Sequence, residues 1–537
     1  MNPPCVIFED DHLLIVNKPA GLNTHSPSEF SGEGLYEWLK HRESRWAGLA
    51  IIHRLDKETS GLILFSKTTP ANRSLTQQFE TRTVRKKYLL LTDRPVKQRQ
   101  LEVESSLVRC GDKYISRPSL AAKQLAHTRF ELLKTADPRS SVPGSLVQAE
   151  PFTGRTHQIR VHAADVGIPI LGDTRYGGTS ARRLCLHAAE LQFKHPLSGE
   201  QLHFQAPADF SADPRLDLRR ALIRPHSTNA FRLVHGAADG WEKQYVDVLG
   251  PYLLAQSSRD MGPARTEELG RLMNDSSAVG TYEKRLVSSI QAAAPAEVSP
   301  RLVLGAPAPE RFTVRENGLL FELSFAEGYS VGLFLDQRDN RRRLLTGHIA
   351  AEFQLFESEQ AAGHNEVLNA FAYTCGFSAC AAHSGARTTS LDLSRKYLDW
   401  GKANFRLNGI NPADHDFIYG DVFDWLKRLR KKNRQFDVIL LDPPTFSRSK
   451  EFGVFRADRD YGQLVTQALP LLKPRGVLFA SSNSATWPAE AFLQTIKASI
   501  RSAKRHIAQE HYFPQPPDFP VSREEPAYLK AVWLRVV

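Results

Sequence analysis

At 537 residues with 41% hydrophobic content, the chain is long for one domain and has enough apolar residues to build two or three cores. Its formal charge of +11 points to a polyanionic partner rather than a lone basic tail, since residues 1–210 carry 28 Lys and Arg against 22 Asp and Glu and the remainder 42 against 37. Five scattered cysteines (Cys5, Cys110, Cys185, Cys375, Cys380) argue against a zinc knuckle, any other metal site or a disulfide framework; without an export signal or an apolar run of about 18 to 20 residues, a cytoplasmic protein with no membrane segment is expected.

The segment from Val6 reads as a hairpin turning at Asp10-Asp11, and LILFSKT and KKYLLLT are further strands. Before the first of these, His53-Arg54-Leu55-Asp56-Lys57-Glu58-Thr59-Ser60-Gly61-Leu62 sets one carboxylate between basic residues and a small-residue turn. Burial raises an aspartate pKa and neighbouring cations lower it, so the string suits an ionised nucleophile at Asp56, with a surface ion pair as the plain alternative. Arg82, Arg85, Lys86 and Lys87 suit phosphate contacts or a solvated strand end.

Pro, Asp and Arg enrich the stretch Gln205 to Ser227, which marks a domain boundary. From Phe231 to Gln256, strand-like runs alternate with Gly turns. EVLNAFAYTCGFSACAAHSG, RTTSLDLSRKYLDWGKANFRLNGI and FDVILLDPPTF then give a β-α-β-α-β order, which predicts an open parallel sheet binding ligands at its strand C-terminal ends. The small-residue turn Asn369 to Phe377, then Asp392, Asp421 and Asp442-Pro443-Pro444-Thr445-Phe446, fall at successive strand ends. A dense positive run, Lys427 to Arg434, fits either RNA or a helix C-terminus.

HRLDKETSGLILFSKT closely resembles the signature of RluA-type pseudouridine synthases, supported by VIFEDDHLLIVNKPAGLNTH, RKKYLLL and TGRTHQIRVHAADVGIPILGDTRYG in the same order. The resemblance covers roughly the first 210 residues and implies a mixed-sheet α+β domain over 1–212. It makes Asp56 the catalytic aspartate, Arg54 the residue that fills the place of an extruded uridine, and Tyr88 the tyrosine packed on the base. Arg160 becomes the partner of the aspartate, with Arg155 competing. No metal or cofactor is implied for this half.

Beyond a linker at 213–228, residues 229–310 resemble the small β-rich module of RlmI/RlmK-type ribosomal RNA methyltransferases, and GYSVGLFLDQRDNRR strengthens the likeness. Residues 311–537 are then expected to be a Rossmann-like α/β methyltransferase domain dependent on S-adenosylmethionine. The likeness places Asn369, Phe371, Tyr373, Gly376 and Phe377 under the methionine moiety, Asp392 at the ribose and Asp421 by the adenine. Gln337 and Arg338 fall near the cofactor, and Asp442, Pro443, Pro444 and Phe446 face the target base.

Where the family often has glycine, this chain has Cys375, and a Cβ is strained in the left-handed conformation such a turn uses. No cysteine lies beyond Cys380, whereas 5-methylcytosine formation needs a thiolate that adds to the ring; DPPTFSRSK with Ser481-Ser482-Asn483-Ser484 looks more like the branch that methylates guanine N7. The expectation is a two-enzyme fusion acting on structured RNA, ribosomal first and transfer RNA second. The rivals are a synthase with an inert methyltransferase-like platform, motivated by Cys375, and a binding-only ribosome-assembly or chaperone protein.

Overall fold

The computed structural model describes residues 2–32, 34–118, 125–136, 144–286, 298–328, 330–357, 365–449 and 453–537, and divides the chain into two units. The first holds Met1–Pro27, Glu33–Lys40 and Arg45–Arg224; the second holds Ser28–Gly32, His41–Ser44 and Pro225–Val537. Among the described residues, no helix is long and apolar enough to cross a membrane, and no cluster of His, Cys, Asp or Glu is arranged to hold a metal ion.

The expected hairpin opens the first unit: Val6–Glu9 pairs antiparallel with Leu13–Lys18, and Asp10 Oδ1 accepts the amides of His12 and Leu13 at 2.7 Å, closing the turn. An eleven-stranded sheet continues through Ser60–Ser66, Leu186–Lys194, Arg85–Thr92 and Ser145–Pro151 to Leu125–Lys134, Gln100–Cys110 and Lys113–Arg117. Gln201–Gln205 joins at Leu186–Lys194, and Ala50–Ile51 at Ser60–Ser66.

Strand Ser60–Ser66 is buried at every position, which is why its LILF run is continuous rather than alternating. It meets Leu186–Lys194 in parallel through Ser60 and Gly61. Gly61 has φ +116°, and a Cβ there would lie 2.3 Å from the Ala188 carbonyl oxygen, so this junction requires glycine.

The stretch 213–228, expected as a linker, instead contains helix Pro214–Leu222, N-capped by Asp213 and burying Leu216, Leu218, Arg219 and Leu222. Asp213, Pro214 and the basic last turn are helix-boundary signals as much as linker composition, and the apolar spacing decided between them.

In the second unit, Ala230–His235, Gln244–Leu249, Tyr252–Ser257, Gly280–Arg285 and Arg301–Gly305 form a five-stranded sheet. Helix Pro263–Asp275 connects its parallel pair. Hairpin Phe312–Glu316/Leu319–Leu323 and helix Arg338–Thr346 follow. The seven-stranded sheet then runs Asp416–Tyr419, Arg387–Asp392, Glu366–Ala370, Phe436–Leu441, Leu472–Ser482, Lys530–Val536 and Ile507–Tyr512.

The first five of those strands are parallel, and Lys530–Val536 runs antiparallel to both of its neighbours, Leu472–Ser482 and Ile507–Tyr512. Strand order reverses between Glu366–Ala370 and Phe436–Leu441, the point where an open α/β sheet leaves a ligand crevice. Alternation splits the core over two faces. Val367, Val438, Leu440, Val477 and Phe479 join Tyr252 and Tyr282 of the smaller sheet and Phe325 beyond the hairpin, while Leu368, Ile439, Leu441 and Leu478 pack with helix residues Leu464 and Ile496. The five-stranded module therefore shares its core with the larger sheet.

Gly61→Ala is expected to destabilise the first unit by about 3 kcal/mol, the range of overpacking combined with backbone strain, seen as a lower denaturant midpoint with unchanged slope.

Candidate active sites

Asp56 opens onto a cavity of about 810 Å³ whose lining includes Arg54, Lys86, Tyr88, Arg155, His157 and Arg160. The loop that carries it is tied down around its neighbours. Thr24 exchanges two hydrogen bonds with the Leu55 backbone, accepting its amide at 3.1 Å and donating to its carbonyl at 2.9 Å. The ammonium of buried Lys18 donates to the carbonyls of Pro19, Leu22 and Lys57 at 2.9, 2.7 and 3.0 Å. Burial pushes the Lys18 pKa down to about 7, against the opposing pull of Glu58 and Asp56.

Arg160 is the partner of Asp56. Its Nη1 reaches Asp56 Oδ2 at 3.3 Å, while Nε and Nη2 clamp Asp173 at 2.7 and 2.8 Å. Asp173 is only 2% exposed, so this bidentate pair is a buried anchor that leaves one edge of the guanidinium for the partly exposed Asp56. His157 Nε2 stands 3.7 Å from the same Oδ2. Tyr88 is buried on Arg85–Thr92 and lines the cavity; burial, then the charge of Asp56, raises its pKa.

Arg54 is exposed at the cavity mouth, and among its neighbours His53 is held neutral: burial lowers the His53 pKa to about 3, and its Nε2 accepts the Leu64 amide. Arg82 and Lys86 line the cavity, whereas Lys87 pairs with Glu190 at 3.3 Å. Lys18, Asp173 and His157 were not singled out from sequence. Each lies inside a quoted motif, but a buried Lys or Asp has no signature until its partners are known.

At the crevice of the seven-stranded sheet, Asp442 Oδ1 accepts the Ser481 hydroxyl and, at 3.3 Å, the Gln337 amide. Burial pushes the Asp442 pKa up to about 6, with the Ser481 and Gln337 hydrogen bonds pulling the other way. Beneath it, the Tyr461 hydroxyl lies 2.9 and 3.0 Å from the carbonyls of Leu441 and Ser481, bridging the two strand ends. Pro443 is buried, Pro444 exposed, and Phe446 49% exposed; Thr445 donates to Asn483 at 2.6 Å, joining this loop to the serine-rich one.

The turn after Glu366–Ala370 alternates into the left-handed region at Phe371, Tyr373 and Cys375, with φ of 65°, 49° and 59°. Asp392 receives the Tyr373 and Ser394 amides at 2.8 Å each, so it closes this turn, and burial raises its pKa. Asn369 donates to Ser378 at 2.9 Å, and its buried Oδ1 has no hydrogen-bond partner.

Cys375 adopts the expected left-handed conformation, yet its side chain is wholly buried in the core. A Cβ at Gly401 would lie 2.4 Å from its sulfur, so Gly401 supplies the room for Cys375.

Three residues expected at the cofactor have protein partners of their own. Arg338 is buried in a bidentate pair with Asp518 at 2.7 and 2.5 Å. Phe377 packs on Phe479 in the core. Asp421 N-caps helix Val422–Lys431, accepting the Asp424 amide at 3.1 Å. Gly376 opens its helix, and an added Cβ would meet Arg341 and Leu333 at 3.4 Å. The positive run Lys427 to Arg434 ends this helix, with Arg428 paired to Asp424 and Arg434 to Asp416 and Glu366.

A family described as RNA pseudouridylate synthase matches residues 12–165, and one described as S-adenosylmethionine-dependent methyltransferase matches residues 232–535. Ribosomal large subunit pseudouridine synthase C of Yersinia pestis is 38% identical over 218 residues, covering 38% of this chain and 66% of that protein, just under two thirds of its length. Ribosomal RNA large subunit methyltransferase of Deinococcus radiodurans is 32% identical over 334 residues, covering 60% of this chain and 78% of that protein.

Ribosomal RNA large subunit methyltransferase K/L of Psychrobacter cryohalolentis is 40% identical over 176 residues, 32% of this chain but only 20% of that protein. Among solved structures, that of SMU.776 complexed with SAH is 28% identical with a TM-score of 0.50, covering 60% of this chain and 79% of that one. The chain belongs to the S-adenosylmethionine-dependent methyltransferase family and carries, ahead of that domain, an RNA pseudouridylate synthase domain.

Proposed function

We propose that this chain modifies RNA twice, isomerising uridine to pseudouridine in its first unit and methylating a guanine at N7 in its second. The observation that carries the first activity is the Asp56–Arg160–Asp173 chain at the wall of the cavity. The substrate is structured RNA, ribosomal first and transfer RNA second, in line with the relatives' names.

Extruding the uridine costs a few kcal/mol of unstacking, which binding in the cavity offsets, and exposed Arg54 fills its place in the helix. Asp56 acts as the nucleophile on the sugar. As a bond from Asp56 to C1′ forms, the bond from C1′ to N1 breaks; the uracil turns against Tyr88, a bond from C1′ to C5 forms as the ester to Asp56 breaks, and the C5 proton leaves as N1 gains one. Arg160 keeps the carboxylate oriented through these steps.

The second crevice suits S-adenosylmethionine, because the partnerless Asn369 Oδ1 and the left-handed turn at Phe371 to Cys375 leave polar groups for a ligand. Asn369, Tyr373, Asp392 and Gln337 would hold it, and it would supply an electrophilic methyl group. The sulfur of Cys375 lies in the core, so the departure from the family turn gives no reason to expect an inert platform.

Both thiols of this unit are buried and their pKa values raised, Cys375 to about 12, which supports methylation without a cysteine nucleophile. Guanine N7 offers its lone pair directly and loses no proton. A carboxylate at Asp442, ionised at neutral pH, opposes the positive charge that then develops on the base, while exposed Phe446 offers a stacking face.

Asp56→Asn is expected to abolish pseudouridine formation and leave methylation intact, read by nucleoside mass spectrometry of modified RNA; a retained pseudouridine removes Asp56 from the mechanism. Asp442→Asn is expected to abolish methylation while leaving pseudouridine formation unchanged, and to raise the melting temperature of the second unit at pH 7. Because the folded Asp442 pKa lies above its unfolded value, the wild type loses stability as pH rises from about 4 through about 6. The gain in the Asn variant therefore fades as pH falls across that window, a trend checked by melting at pH 4 to 8.

A further inference from the structure

We infer that His157 is a positioning residue for Asp56, presenting its Nε2 proton to Oδ2 so that Oδ1 is the oxygen turned to the sugar. This rests on the proposed uridine isomerisation and extends it to a residue outside the roles derived above.

His157 sits at the N-terminus of helix Gln158–Asp165 with φ 56° and ψ 17°, a left-handed conformation uncommon for residues with a side chain and kept where surrounding contacts fix it. Its ring is held edge-on by Tyr114 and Tyr176, with centroids 5.5 and 5.7 Å away. The Tyr176 oxygen accepts the Tyr114 amide at 3.0 Å and lies 2.7 Å from His157 Nδ1. The Arg160 guanidinium lies over the Tyr176 ring, 5.1 Å from its centroid, so the tyrosine is fixed by the residue that also holds Asp56.

Proton accounting then selects one tautomer. The phenol carries a single proton; its oxygen accepts from Tyr114, and among the described residues Nδ1 is the acceptor within reach of that proton, so the proton is directed at Nδ1. A neutral imidazole that accepts at Nδ1 carries its own proton on Nε2, the nitrogen that faces Asp56. Burial lowers the His157 pKa against the opposing charge of Asp56, which keeps the ring neutral.

Arg160 Nη1 and His157 Nε2 approach the same carboxylate oxygen, Oδ2, at 3.3 and 3.7 Å. The longer contact exceeds hydrogen-bond length and is of the kind that tightens once substrate fills a site. Two donors on one oxygen fix the plane of the carboxylate and leave Oδ1 to react.

The test uses the full-length chain and a large-subunit ribosomal RNA transcript tritiated at uridine C5, with tritium release followed in single turnover and transcript affinity by filter binding. His157→Phe is expected to slow release about tenfold, the worth of one lost orienting hydrogen bond, without weakening transcript binding. His157→Gln, whose side-chain amide can donate in the same direction, is expected to recover most of the rate. Selective ¹⁵N-histidine NMR should show His157 as the Nε2–H tautomer, shifting toward a mixture in Tyr176→Phe.

A wild-type rate in His157→Phe, equal slowing by Phe and Gln, or an Nδ1–H tautomer overturns the inference. If the wild type releases no tritium, the isomerisation reading itself fails, and the tautomer still decides the arrangement around His157.

Discussion

The first unit depends on the buried pair between Arg160 and Asp173. A guanidinium this enclosed needs a counter-charge, and Asp173, 2% exposed, supplies it bidentately through Nε and Nη2. That leaves Nη1 directed at Asp56. The Asp56 carboxylate is thereby held by a residue that is itself held, and the helix carrying Arg160 is fixed relative to the loop carrying Asp56. Lys18 and Thr24 complete the arrangement by securing the backbone on either side of that loop.

The second unit uses the same physics with other residues. Glu316 pairs with Arg341, and Asp518 with Arg338, every one of them buried, and these pairs lock the helix that follows Gln337. Gln337 can then meet Asp442 across the strand-order reversal. Among the described residues, Asp442 accepts from two neutral donors, Ser481 and Gln337, so burial raises its pKa and the fold bears the cost of an ionised group there.

The protein partners of the motif residues follow from what a pattern leaves out. Arg338 sits beside Gln337 in the motif, but adjacent residues of a helical turn diverge by about 100 degrees, so one reaches Asp442 while the other turns to Asp518. Asp421 stands at a strand end, as a ribose or adenine ligand would, and also one residue before a helix, where N-capping claims its carboxylate. Cys375 does adopt the left-handed backbone, but whether its Cβ obstructs the turn depended on the residue across from it, and Gly401 lies 26 positions away in sequence.

By itself the sequence pointed to the carboxylates Asp56 and Asp442 as candidate site residues, to the β-α-β order that makes an open parallel sheet, and to Arg160 as a basic neighbour of Asp56, because each is written in contiguous residues or in local periodicity. Only the tertiary structure decided which side chains surround them. Asp173, Lys18 and His157 gather around Asp56, and Ser481, Gln337 and Tyr461 around Asp442, from segments far apart in the chain. Hydrogen-bond partners and desolvation arise when those segments pack, and no local pattern encodes them.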